Sequence, residues 1–123
     1  LLGQLDVVIM NRVEAQFYHA LFSKPTYQRL SKIITKGAAG LDLILPNGAC
    51  QSFPAFEVPS LSSHGAGDVF VGALAAQRLA QIPWETALRY AQAAAALHVA
   101  TPRRQRAAIT SGDIKALMQN GTL

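Results

Sequence analysis

Residues 5–10, LDVVIM, form a short, mostly apolar run rich in β-branched side chains, and the lack of obvious alternation marks a strand covered on both faces. Such strands belong to sheets that carry helices on both sides, so this one run already draws the chain toward an α/β layer structure. From Val13 the apolar residues recur at helical spacing through Ala15, Phe17, Tyr18, Leu21 and Phe22, until Ser23-Lys24-Pro25 ends the pattern. A turn of helix is expected over residues 27–32, followed by a strand at Ile33-Ile34-Thr35. Gly37 and Gly40 then separate that strand from a second apolar run, LDLIL, which Pro46-Asn47-Gly48 closes as a turn. Residues 49–58 read as a further extended stretch in which Pro54, lacking an N–H, favours an edge position or a break.

The second half of the chain changes character. Residues 66–80 read as a helix rich in small residues (Gly72, Ala73, Ala75, Ala76) that permit close packing. Residues 84–99 read as another, because Pro83 is tolerated at a helix start and alanine has the best intrinsic propensity. A third helix begins at Thr110, where Thr110 and Asp113 have capping-box spacing. With 50% hydrophobic and 15% charged residues the chain can fill a core, and its 123 residues suit one domain. The expectation is therefore α/β, a mostly parallel sheet flanked by helices. Three or four strands leave exposed sheet edges unless something covers them, which is the reason to expect a part of a larger fold.

Charge and cysteine content remove several function classes. No apolar stretch approaches the ~18–20 residues of a bilayer span, so a membrane helix is excluded. The opening LLGQLDVVIMNR lacks a basic n-region and a cleavage site, and reads as a structural segment rather than a signal peptide. A single cysteine, Cys50, fits a structural role and a reducing, cytoplasmic compartment. The net charge of +4 and pI near 9.6 suit a polyanion, yet the basic residues are scattered apart from Arg103, Arg104 and Arg106. A solvated loop after a helix is the preferred reading of those arginines, ahead of nucleic-acid binding.

The chemistry concentrates in HGAGDVFVGAL, residues 64–74. Gly65 and Gly67 flank Ala66 at a helix start, where backbone N–H groups can turn toward an anion and the helix adds partial positive charge. Asp68 beside that nest would repel a resting phosphate, but could accept a proton from a hydroxyl attacking a phosphoryl group held by the amides. Taken alone, the segment equally fits a tight turn with Asp68 favouring the helix dipole. Likewise Asn11 and Glu14, taken alone, read as a helix cap and its first-turn carboxylate. His64 reads as a loop residue, since Asp68 already fills the role of base.

Three ordered segments give the chain its resemblance to the C-terminal half of ribokinase-like carbohydrate kinases, the PfkB family. Gly65-Ala66-Gly67-Asp68 looks like the family's GAGD motif, which implies an anion hole made by the amides of Gly65, Ala66, Gly67 and Asp68, with the Asp68 carboxylate as catalytic base. Asn11-Arg12-Val13-Glu14 resembles the N-x-x-E motif associated with magnesium and phosphate positioning. Thr35-Lys36-Gly37-Ala38-Ala39-Gly40 resembles the T-x-G-x-x-G loop, so Thr35, Gly37 and Gly40 are expected to border the nucleotide. The alanine-rich YAQAAAALHVA is similar to the helix beside the adenine pocket, which makes Gln92 a lining candidate.

The resemblance thus implies a partial ribokinase-like fold and ATP-dependent, Mg²⁺-assisted phosphoryl transfer to a hydroxyl of a sugar or similar small molecule. It also departs from the family in places. Ser62-Ser63-His64 stands where members often carry an acidic cation ligand, and Pro102-Arg103-Arg104-Gln105-Arg106 replaces a small polar loop, which argues against a bound monovalent cation. The segment between Glu14 and Ile33 is shorter than usual. The sugar-binding and lid half is absent from this sequence, so it has to come in cis or in trans as a partner, and a homodimer is left open. The alternative to a kinase is a non-catalytic nucleotide-binding or interaction module derived from one.

Overall fold

The computed structural model describes residues 7–22, 24, 29–61 and 64–121. Expectations for residues 5–6, 25–28, 62–63 and 122–123 lie outside the described residues. The chain divides into two compact units, Leu1–Ala55 and Phe56–Leu123.

The first unit is a four-stranded sheet in the order β1-β2-β3-β4, built from β1 (Val7–Asn11), β2 (Ser31–Thr35), β3 (Leu41–Ile44) and β4 (Cys50–Phe53). β1 and β2 run parallel, with Asn11 opposite Thr35. β2–β3 and β3–β4 are antiparallel, which corrects the expected mostly parallel sheet within these residues. Connection length is the reason. The crossover between β1 and β2 carries helix, whereas β2–β3 and β3–β4 are joined by tight turns that can only reverse the chain. One turn is the 3₁₀ segment Gly37–Ala39, closed by the Lys36 N–H donating to the Gly40 carbonyl at 2.8 Å. In the other, the Leu45 N–H donates to the Ala49 carbonyl at 2.8 Å and the Asn47 side chain accepts from the Ala49 N–H at 2.9 Å. Ser31 and Lys32, expected in a turn of helix, belong to β2.

Alternate residues Ile33, Leu41, Leu43 and Phe53 are buried on one face of this sheet. β4 is an edge strand that stops at Phe53, just before Pro54. Cys50 is exposed on that strand, so it does not pack as a core residue. The helix expected from Val13 is split into α1 (Arg12–Phe17) and α2 (His19–Phe22) at Tyr18, whose backbone leaves the helical region at φ −98 and ψ 10.

The second unit holds α3 (Ala66–Leu79), α4 (Trp84–Ala100), a 3₁₀ segment (Arg103–Ala108) and α5 (Ser111–Asn120). α3 packs on α4 and α4 on α5. Phe70 and Leu74 of α3 are buried, as are Leu88, Ala91 and Leu97 of α4. Phe56, Ala93, Leu97 and Leu117 form a core cluster to which Ile109, Ile114 and Met118 add their apolar surface. Gly72, Ala75 and Ala76 of α3 are exposed, so the close packing expected of those small residues is not what they do here. Arg78 lies over Trp84 and Arg89 over Phe56, with guanidinium carbons 4.0 and 4.3 Å from the ring centroids, so long cations cover aromatic faces at the unit's rim.

α5 begins with the expected capping box: Thr110 Oγ1 accepts from the Asp113 N–H, and Asp113 accepts from the Thr110 N–H at 2.9 Å. The Thr110 backbone donor, with the Thr110 side chain, holds the Asp113 carboxyl below its usual range. Arg103 and Arg104 are exposed on the 3₁₀ segment, and the Arg106 Nε donates to the Thr101 carbonyl at 3.2 Å, capping the end of α4. No described helix is long and apolar enough to cross a membrane.

Candidate active site

In the first unit, five predicted site residues gather where the parallel pair β1/β2 ends. Asn11 closes β1 and pairs in register with Thr35, the last residue of β2. The Thr35 hydroxyl donates back to the Met10 carbonyl at 3.4 Å, and the Gly37–Gly40 turn follows directly. Open α/β sheets bind ligands beyond the carboxyl ends of parallel strands, which is this end.

Asn11 and Glu14 form a complete capping box. Asn11 Oδ1 accepts from the Glu14 N–H at 2.8 Å, and Glu14 Oε1 accepts from the Asn11 N–H at 3.0 Å. The cap reading of these two residues is therefore realised. It engages one oxygen of each, and both residues are exposed, which leaves the second carboxylate oxygen of Glu14 available to a hydrated cation. Among the described residues no three His, Cys, Asp or Glu side chains come together as a metal cage. One carboxylate and one amide fit Mg²⁺ in its usual mode, in which water and phosphate oxygens supply most ligands.

The two glycines of the turn differ in what they permit. Gly37 is exposed with φ +57, and a Cβ there would meet nothing within 4 Å. Gly40 is buried with φ +95, and a Cβ there would collide with the Phe53 carbonyl oxygen and lie 2.9 Å from Pro54 Cα. Beside the turn, Lys36 Nζ and Asp42 Oδ1 form an ion pair at 2.9 Å, and the Ser52 hydroxyl donates to the same oxygen at 2.7 Å. Lys36 first, then Ser52, holds the Asp42 carboxyl below its usual range. A depressed folded-state value contributes stability above the unfolded value of 3.8, lost as pH falls through the folded one. Asp42→Asn is thus expected to cost about 0.5–1 kcal/mol at pH 7 in chemical denaturation, the scale of partly exposed pairs. That difference should shrink to nothing in strong acid; an undiminished difference there would assign it to packing instead.

In the second unit, Gly65 caps α3 in the left-handed region at φ 83. The first N–H donating within α3 is that of Val69, to the Gly65 carbonyl at 3.1 Å, so the amides of Ala66, Gly67 and Asp68 have no acceptor inside the helix. Asp68 and Gly67 are exposed, and Gly67 has nothing within 4 Å of a Cβ position. Unengaged amides, the positive end of a fourteen-residue helix and an exposed carboxylate in its first turn can hold an oxyanion and take up a proton.

Gln92 lies on the buried face of α4 at 9% exposure. A cavity of about 640 Å³ opens among the end of α4, the 3₁₀ segment and α5, lined by Leu97, Thr101, Gln105, Ile109 and Asp113 among others. None of the predicted site residues lines it. Sequence reasoning passed over His98, whose Nε2 lies 3.0 Å from the His64 carbonyl; a contact across 34 residues leaves no local signal.

The chain is also similar to known proteins. The chain is 42% identical over 67 residues to the Bifunctional protein HldE of Bradyrhizobium diazoefficiens, covering 54% of this chain and 14% of that protein. It is similar in structure to ribokinase from Thermotoga maritima, with TM-score 0.77, 25% identity, and coverage of 94% of this chain and 43% of that one. The Burkholderia thailandensis nucleoside kinase in complex with inosine gives TM-score 0.79 and 26% identity, with 94% and 39% covered. The chain therefore has a ribokinase-like fold and spans about two fifths or less of the proteins it matches. The description pfkB family carbohydrate kinase fits residues 1–110, which contain the N-x-x-E, T-x-G-x-x-G and GAGD segments in order, and the chain belongs to that family.

Proposed function

We propose that this chain supplies the phosphoryl-transfer part of a carbohydrate kinase that moves the γ-phosphoryl group of ATP to a hydroxyl of a sugar or related small molecule. The observation that carries the proposal is the start of α3, where three amides without helical acceptors adjoin the exposed carboxylate of Asp68. The acceptor is bound mainly by a further segment, in the same polypeptide or in a partner.

In the proposed mechanism, Asp68 takes the proton of the acceptor hydroxyl as its oxygen bonds to the γ-phosphorus. The bond from that phosphorus to the β–γ bridging oxygen breaks, giving a phosphomonoester and ADP. The amides of residues 65–68 stabilise charge on the transferring group without reorganising. Glu14 and Asn11 would hold a hydrated Mg²⁺, which supplies charge neutralisation to the phosphates when bound. Thr35 and Gly37 border the nucleotide, while Gly40 shapes the turn that presents them. Gln92 remains a proposed neighbour of the adenine.

The test is an assay of the natural full-length polypeptide with ATP, Mg²⁺ and a panel of sugars, sugar acids and nucleosides. Acceptor-dependent ADP release supports the proposal; nucleotide binding without turnover on any acceptor would favour the non-catalytic module. Gly67→Ala sharpens the result. Its Cβ meets no protein atom, and alanine in a helix gains up to about 1 kcal/mol over glycine, so the fold should be unchanged or slightly stabilised. The kcat should nevertheless fall at least tenfold, on the order of one oxyanion donor's worth or less. Unaltered kcat would show that no phosphoryl group approaches the backbone there.

A further inference from the structure

We propose that His98 is a positioning residue that holds the Gly65–Asp68 turn in register with the end of α4; the inference rests on reading that turn as the phosphoryl-transfer loop. Three contacts converge on it. His98 Nε2 lies 3.0 Å from the His64 carbonyl oxygen, and because a carbonyl only accepts, the imidazole nitrogen must carry the proton and donate. The adjacent residue of α4 holds the same strand of chain, since the Val99 carbonyl accepts from the Leu61 N–H at 2.7 Å. The ring also fits against Gly65 itself: a Cβ there would stand 3.2 Å from His98 Nε2 and 3.7 Å from Cε1.

The left-handed conformation of Gly65 and the missing side chain therefore serve one arrangement. At φ +83 the residue holds a turn that favours glycine, and a Cβ there would crowd the imidazole that fixes the preceding carbonyl. The last turn of α4 grips the approach to α3 at residues 61 and 64. An anion hole acts by being preformed, so a bond that removes one degree of freedom from the turn before it bears on rate rather than on substrate affinity. His98 touches no reacting atom in this arrangement; it acts through the backbone of His64.

The test compares wild type, His98→Leu and His98→Gln in the natural full-length polypeptide. Leucine keeps the bulk and loses the donor, while the glutamine amide nitrogen reaches about as far as Nε2. His98→Leu should lower kcat by about ten- to a hundredfold, the scale of an ångström's misplacement, with KM for ATP within about twofold. His98→Gln should recover most of the loss. In parallel, amide exchange at Leu61 and Val69 should quicken about tenfold in His98→Leu and return toward wild type in His98→Gln. Equal kcat losses in both variants, or unchanged kcat with unchanged exchange, would overturn the inference. Faster exchange with unchanged kcat would overturn the catalytic part of it. If wild type transfers no phosphoryl group, the kinase reading fails separately, and the exchange rates alone decide whether His98 holds the turn.

Discussion

Asp68→Asn in the natural full-length polypeptide is expected to lower kcat by about 10²- to 10⁴-fold, the range for loss of a positioned general base, while ATP binds as well as before or slightly better. Asparagine keeps the size and hydrogen-bonding reach of the side chain, yet cannot take up the hydroxyl proton. Affinity should not suffer, because a carboxylate at the mouth of an anion site repels the resting phosphates and its replacement removes that repulsion. Stability should change little: Asp68 is exposed, and an acidic residue in a helix's first turn contributes about 0.3–1 kcal/mol. The measurements are steady-state transfer, nucleotide titration and thermal unfolding on the same preparation. Retained turnover would remove Asp68 from the mechanism. Lost turnover accompanied by unfolding would reduce its role to supporting the first turn of α3.

The starts of the three long helices are legible in the sequence because glycine, proline and a capping pair punctuate it locally. Gly65 ahead of α3, Pro83 ahead of α4 and the Thr110–Asp113 box ahead of α5 each act within a turn of their own position, and the structure starts all three helices there. What resisted reading depends on partners far along the chain. Helical spacing at Val13 and Phe17 suggests an apolar face, but those side chains are 74% and 79% exposed, since periodicity reports a face and not what covers it. Strand direction escapes the sequence for a similar reason: buried-type composition says parallel, whereas the short turns after β2 and β3 dictate hairpins. Asn11 and Glu14 turned out to satisfy a local rule and a family motif at once, so neither reading displaces the other. The grip of His98 on the GAGD approach had no local trace at all.

The two glycines of the T-x-G-x-x-G segment should lose stability to very different degrees on replacement by alanine. Gly40→Ala is expected to destabilise the first unit by about 3 kcal/mol or more. The backbone conformation there, φ 95 and ψ −141, belongs to glycine and costs other residues on the order of 1–3 kcal/mol. The added methyl also meets the Phe53 carbonyl, a backbone atom at the end of β4 that cannot rotate away, and overpacking of this kind costs roughly 1–3 kcal/mol again. Against a total stability of about 5–15 kcal/mol, such a loss should show as early unfolding in urea and faded amide protection in β3 and β4. Gly37→Ala meets open space, so only its left-handed conformation is penalised, by about 1–2 kcal/mol, and Gly37→Asn should cost less because asparagine tolerates that region. If Gly37→Ala proves as damaging to the fold as Gly40→Ala, the close approach of Phe53 is not what preserves Gly40. If instead Gly37→Ala stays folded and loses ATP affinity, the exposed glycine is open for the nucleotide, and the buried one is there to build the turn.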